Sequence, residues 1–259
     1  MTSSIVSEDR VMDKKVDLKN YQCVFNEKGF FGGDQRLPEK DPLKYTDILK
    51  KYDKYISDEQ TVDFLKHFCS EGCGYVALVN SIFLYFYGYE DAFYKTFGYA
   101  MYDEAGNMNF SQLALDFYCA TDNHKGFLFF DYVDLYEDKP NKPGFGTTIE
   151  TSKWRFELYM KKHGIHAKLN PIIVGVQDIK KRMEKGPIIV SVRPTVLYDI
   201  KGNITNETEG GHTMSVVGVS ENGLVRVSSW GQEYYVKSGT YAKYEYYQQV
   251  IFRDTLETV

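Results

Sequence analysis

Cys73 and His212 are the residues of this chain whose type and setting could do covalent chemistry. Cys73 stands in Gly72-Cys73-Gly74, directly before an apolar run from Tyr75 to Phe86 that is free of Gly and Pro. That pattern predicts a tight turn feeding a buried helix with the thiol in its first turn. Unpaired N–H groups and the positive end of the helix dipole favour a thiolate there. A thiolate is a nucleophile and needs a base. His67, His124, His163 and His166 lie in polar or helix-end stretches, whereas His212, in Gly210-Gly211-His212, stands at the mouth of an apolar strand. An imidazole held there can take the thiol proton and later return it to a leaving amine, which is the chemistry of cysteine acyl transfer. The opposing reading of Cys73 is a small buried hydrophobe, the usual state of an isolated cysteine.

The elements that must position these groups differ between the two halves. Tyr21 to Phe25 reads as a short extended segment. Asp41-Pro42 opens a helix with Tyr45, Ile48, Leu49, Tyr52 and Ile56 on one face. Ser57 to Gln60 is a capping box that starts a helix through Val62, Leu65 and Phe68 and delivers the chain to Cys73. Helical spacing continues from Tyr89 to Ala120, with Asn109 and Ser111 as caps before Leu113. Phe127 to Phe130 is ambiguous, and Pro140 to Gly146 is a loop. Thr151 caps a helix through Trp154, Leu158 and Tyr159 that closes at Gly164.

A short helix around Val176 to Glu184 then leads to Ile188-Ile189-Val190-Ser191-Val192, a buried strand by its branched residues. Lys201 to Gly210 is a polar loop. Thr213 to Val219 and Leu224 to Val227 form a hairpin about Glu221-Asn222-Gly223, and Gln232 to Val236 and Gln249 to Phe252 add strands. The fold class is α+β: a helical N-terminal half, with the nucleophile at a helix N-terminus, packed against an antiparallel sheet in the C-terminal half. Residues 1–20 read as a charged, mobile tail, and 21–259 as a single domain with a helical part over about 40–165 and a sheet part over about 166–259.

The 259 residues carry a net charge of −5 and no basic block, which argues against nucleic-acid binding. No run reaches the length of a membrane span, and no signal peptide is visible at the start, so the expected location of the chain as given is cytoplasmic. Its 22 Tyr and 17 Phe suit a large core and a peptide-binding cleft alike. Cys23, Cys69, Cys73 and Cys119 show no disulfide or zinc spacing, so no metal is expected.

Downstream of the hairpin stands Val227-Ser228-Ser229-Trp230-Gly231. Gly-Cys-Gly opening an apolar helix, then Gly-His before a valine-rich strand, then Ser-Trp-Gly after the next strand, in this order, resemble the papain-like cysteine peptidases. The likeness is to the compact bacterial branch that includes bacteriocin-leader-processing peptidases, and it is best over Cys73 to Leu84 and Lys180 to Val236. The resemblance implies a papain-like fold, hydrolysis of peptide amide bonds by Cys73 and His212, a peptide or protein substrate and no cofactor. Trp230 would shield the imidazole.

That family places Asn or Asp before Ser-Trp-Gly to orient the imidazole, and Ser228 holds the position here. A simple three-residue turn would set Ser228 opposite Val216, roughly 13 Å along the ladder from His212, which leaves Gln232 or Glu233 as alternative orienting groups. The family's upstream oxyanion Gln is absent; His67, six residues before Cys73, and Gln22 are the candidates for that role. The same constellation also serves deamidation and transglutamination. The rival reading is a catalytically weak or inactive papain-like domain that binds a peptide or protein partner.

Overall fold

The computed structural model describes residues 18–25, 31–52, 57–121, 149–254 and 256. The charged tail over 1–17, Phe127 to Phe130 and the loop from Pro140 to Gly146 lie outside them, as do the side chains of Gln22 and Cys23.

In chain order the helices are α1 (Leu18–Phe25), α2 (Thr46–Lys51), α3 (Asp58–Glu71), α4 (Cys73–Phe86), α5 (Glu90–Phe97), α6 (Phe110–Thr121), α7 (Ile149–Lys162) and α8 (Ile179–Met183). The strands are β1 (Ala167–Ile172), β2 (Ile188–Arg193), β3 (Thr195–Tyr198), β4 (Ile204–Thr208), β5 (His212–Val219), β6 (Val225–Ser229), β7 (Gln232–Val236) and β8 (Tyr244–Phe252). They form one antiparallel sheet in the order β1-β8-β2-β5-β6-β7-β3-β4. The architecture is α+β, with the described helices concentrated in the N-terminal half.

Helix α4 is the centre of the molecule. Every residue from Gly74 to Phe86 is buried, so this helix is apolar all round and must be enclosed on all sides. It packs on β5, β2 and β6 on one side and on α1, α6 and α7 elsewhere. One polar residue inside it, Asn80, ties it to its neighbours. Asn80 accepts from Gly33 N–H at 2.9 Å and donates to Ser215 Oγ at 3.0 Å, and Ser215 Oγ donates to the Ala77 carbonyl at 3.1 Å. These bonds fix α4 against β5 in one register, because a slip would leave buried polar groups unpaired.

The Ser57 cap forms, its Oγ accepting from Gln60 N–H at 3.3 Å. Gly72 joins α3 to α4 without a loop, and a Cβ there would lie 2.7 Å from the Phe68 carbonyl oxygen.

Four expectations need correction. Tyr21 to Phe25 belongs to helix α1, not to an extended segment, because Tyr21, Val24 and Phe25 bury one face against the core. The helix begun at Pro42 is a 3-10 turn, Pro42–Tyr45, followed by the short α2, and Asp41 makes no side-chain cap. Thr151 lies inside α7, which starts at Ile149. The polar stretch Lys201 to Gly210 contains an edge strand, β4, whose Thr, Asn and Glu side chains give no apolar alternation to read.

A candidate thiol site at the start of helix α4

Cys73 is the first residue of α4 and is half-buried. Its sulfur faces Thr213, the second residue of β5, and the first-turn N–H groups of Cys73 and Gly74. Burial nevertheless pushes the thiol above its ordinary range: the Thr213, Gly74 and Cys73 N–H groups and the Thr213 hydroxyl pull it down without offsetting desolvation. The Thr213 hydroxyl also lies 2.7 Å from Ser191 Oγ on the neighbouring β2. A column of small polar side chains, Ser191, Thr213, Ser215 and Ser228, therefore lines the side of the sheet that α4 covers.

His212 opens β5 and is 7% exposed. Its Nε2 is 2.6 Å from Ser229 Oγ, and its ring stacks on Trp230 with centroids 4.5 Å apart and planes 20° apart. Burial pushes its pKa down to about 4, so the ring is neutral at pH 7. Among the described residues no hydrogen bond joins the ring to the Cys73 sulfur, and Nδ1 has no hydrogen-bond partner. The thiol faces Thr213 and the imidazole belongs to His212, successive residues at the end of β5 whose side chains leave opposite faces of the strand.

Ser228 does not orient the ring. Its Oγ donates to the Phe31 carbonyl at 2.5 Å. The reason is a bulge in β5 between Val216 and Gly218, which sets Ser215 opposite Ser228 and Val216 opposite Val227. A one-residue change of register exchanges the faces of a strand. Ser228 thus turns toward α4, and Ser229, level with Met214, turns toward His212. Gln232 and Glu233, the alternative orienting groups, are engaged elsewhere: Gln232 Oε1 accepts from Tyr234, and Glu233 holds Arg226 at 2.5 Å and accepts from Tyr235. His67 stands 3.9 Å from Glu71 across one turn of α3. The side chain of Gln22 lies outside the described residues.

No local pattern of residues marks the strap that secures Trp230. Trp230 and Gly231 form the two-residue turn between β6 and β7, with φ of 50° and 68°. A tryptophan in the left-handed region is strained by roughly 1 kcal/mol or more. Phe31 N–H donates to the Gly231 carbonyl at 2.9 Å, Gly231 N–H donates to the Gly33 carbonyl at 3.1 Å, and Arg36 donates to the Trp230 carbonyl at 2.8 Å. Asp34 holds the Arg36 guanidinium with two bonds of 2.9 and 3.0 Å. The segment from Phe31 to Arg36 therefore clamps the turn that presents Trp230 to His212. A cavity of about 130 Å³ lined by Gly32, Asp34, Leu37, Tyr45 and Phe110 lies beside this strap, and neither Cys73 nor His212 is in its wall.

Compared with known proteins, the chain matches no family model, no curated protein and no solved structure. Among the described residues no group of three or more His, Cys, Asp or Glu is arranged to hold a metal ion, and no helix is long and apolar enough to cross a membrane.

Proposed function

We propose that this protein is a cysteine acyl hydrolase of the papain-like kind, acting on peptide amide bonds through Cys73 and His212. The observation that carries the reading is the meeting of the first turn of α4 with the first residues of β5. A half-buried thiol ringed by N–H donors stands beside the strand whose leading residue is an imidazole held by Ser229 and Trp230. The resting pair is neutral, thiol with imidazole. For this the His212 ring has to turn past the edge of β5 toward Cys73, where Nδ1, the nitrogen not taken by Ser229, accepts the thiol proton as sulfur adds to the carbonyl carbon. The tetrahedral adduct collapses with cleavage of the C–N bond, and the imidazolium protonates the departing amine. Water, deprotonated by the same ring, then releases the acyl group.

A second reading has specific support. Among the described residues no carboxylate touches His212, its basicity is depressed, and the thiol is raised rather than lowered. Those features suit a domain that retains a peptide cleft with little turnover. Alkylation by iodoacetamide, followed residue by residue by mass spectrometry, separates the two. Hydrolase chemistry requires Cys73 to react faster than Cys69 and Cys119, with a rate that falls on His212→Ala. A rate unaffected by the loss of His212 would favour the binding domain.

A further inference from the structure

We propose that the Tyr244 hydroxyl is the hydrogen-bond donor to the acyl oxygen of a substrate held at Cys73. This inference rests on the hydrolase reading and fills a position that sequence reasoning left to His67 or Gln22.

Strand pairing places the phenol. Ser191 of β2 is opposite Thr213 of β5 on one side and Tyr246 of β8 on the other, and Ser191 Oγ touches the Thr213 hydroxyl that faces the sulfur. Residues two apart on a strand share a face. Arg193, Gly211 and Tyr244 therefore continue the Cys73 face to the open end of the sheet, and Arg193 and Tyr244 are paired directly.

Gly211 locates the hydroxyl itself. A Cβ at Gly211 would stand 2.2 Å from Tyr244 Oη. The missing side chain is what lets the phenol lie across the strand end, one residue before His212 and two before Thr213. Tyr244 is 39% exposed, and its hydroxyl has no hydrogen-bond partner among the described residues. Burial raises the pKa of the phenol, the Arg193 cation opposes that, and a charge on Cys73 would add to it. A hydroxyl without a partner among the described residues, on the Cys73 face of the sheet and carried by a partly exposed side chain, can meet a substrate oxygen.

The step needs no further reagent. As sulfur adds to the carbonyl carbon, the π pair moves to oxygen, and Tyr244 donates a hydrogen bond to that oxyanion without giving up its proton. When the C–N bond breaks the C=O bond re-forms and the hydrogen bond weakens. A donor that strengthens only in the transition state is worth about 100-fold or more in rate.

The test uses p-nitrophenyl acetate, whose acylation of the thiol releases p-nitrophenolate, alongside iodoacetamide, whose displacement forms no oxyanion. In Tyr244→Phe the Cys73-dependent acylation rate should fall 10- to 100-fold, while alkylation of Cys73 stays within about twofold of the unsubstituted protein. Equal losses in both reactions would mean that the phenol only shapes the site, and unchanged acylation would remove it from the chemistry; either overturns the proposal. Absence of a burst that depends on Cys73 in the unsubstituted protein overturns the hydrolase reading, and this inference with it. A normal burst with an indifferent Tyr244→Phe overturns this inference alone.

Discussion

His212 Nε2 lies 2.6 Å from Ser229 Oγ, while Ser228, one residue earlier, spends its hydroxyl on the Phe31 carbonyl. Adjacent serines of identical chemistry thus have different tasks, assigned by the bulge between Val216 and Gly218. Ser229→Ala should slow Cys73 alkylation and any hydrolysis several-fold through loss of ring orientation. Ser228→Ala should leave those rates alone and cost about 1–2 kcal/mol, because a buried carbonyl loses its donor. Parallel rate measurements and urea unfolding of the two variants check the division.

Acid sensitivity follows from the His212 ring. In the unfolded chain an imidazole takes a proton near pH 6.5, but the folded ring resists until about 4. Between those values the unfolded state binds more protons, so stability is full above pH 6.5 and falls as pH drops toward 4. At about 1.4 kcal/mol per pK unit the loss approaches 3 kcal/mol. Urea midpoints at pH 7 and pH 5 should differ accordingly, and His212→Phe should reduce the difference.

The thiol gives a second pH signature. A preformed thiolate–imidazolium pair would make Cys73 alkylation level across neutral pH. The raised thiol and the depressed imidazole predict instead a rate that climbs with pH into the alkaline range. A pH–rate profile with iodoacetamide distinguishes the two shapes, and a plateau between pH 5 and 8 would contradict the neutral pair.

Trp230 should control the His212 titration. Its indole covers the ring at 4.5 Å, so Trp230→Ala admits water and moves the imidazole pKa upward from about 4 toward 6.5. Histidine ring resonances followed by NMR across that range give the value directly. The same substitution replaces a bulky residue at φ 50°, but alanine is also strained there, so little stability should return.

Asn80 is the buried polar group on which the strap depends. Asn80→Leu strips partners from Gly33 N–H and Ser215 Oγ and should cost about 2–4 kcal/mol. Hydrogen exchange at the Phe31 and Gly231 amides should accelerate as the strap loosens.

Much of this fold could be read from residue order. Gly72-Cys73-Gly74 ahead of a long apolar run specified α4, and the valine-rich runs about Glu221-Asn222-Gly223 specified β5 and β6. The bulge could not be read, because in Val216-Val217-Gly218-Val219 every residue is compatible with burial and none marks the one that falls out of step. That single residue is what sets Ser229, rather than Ser228, against the His212 ring. Helix α1 was hidden by Tyr, Val and Phe, whose strand preference is overridden by packing on α4. The strap and Tyr244 were hidden for another reason: each matters through neighbours distant in sequence, and local pattern carries no trace of them.

The clamp on Trp230 also bears on when the thiol is armed. Cys73 leaves the ribosome 139 residues before His212, on the order of ten seconds at ordinary elongation rates. The turn that covers the imidazole closes only when Phe31 to Arg36, made early, finds Trp230 and Gly231, made late. Under the proposed chemistry an emerging chain thus carries Cys73 without His212, and the pair cannot act before Trp230 and Gly231 have been made.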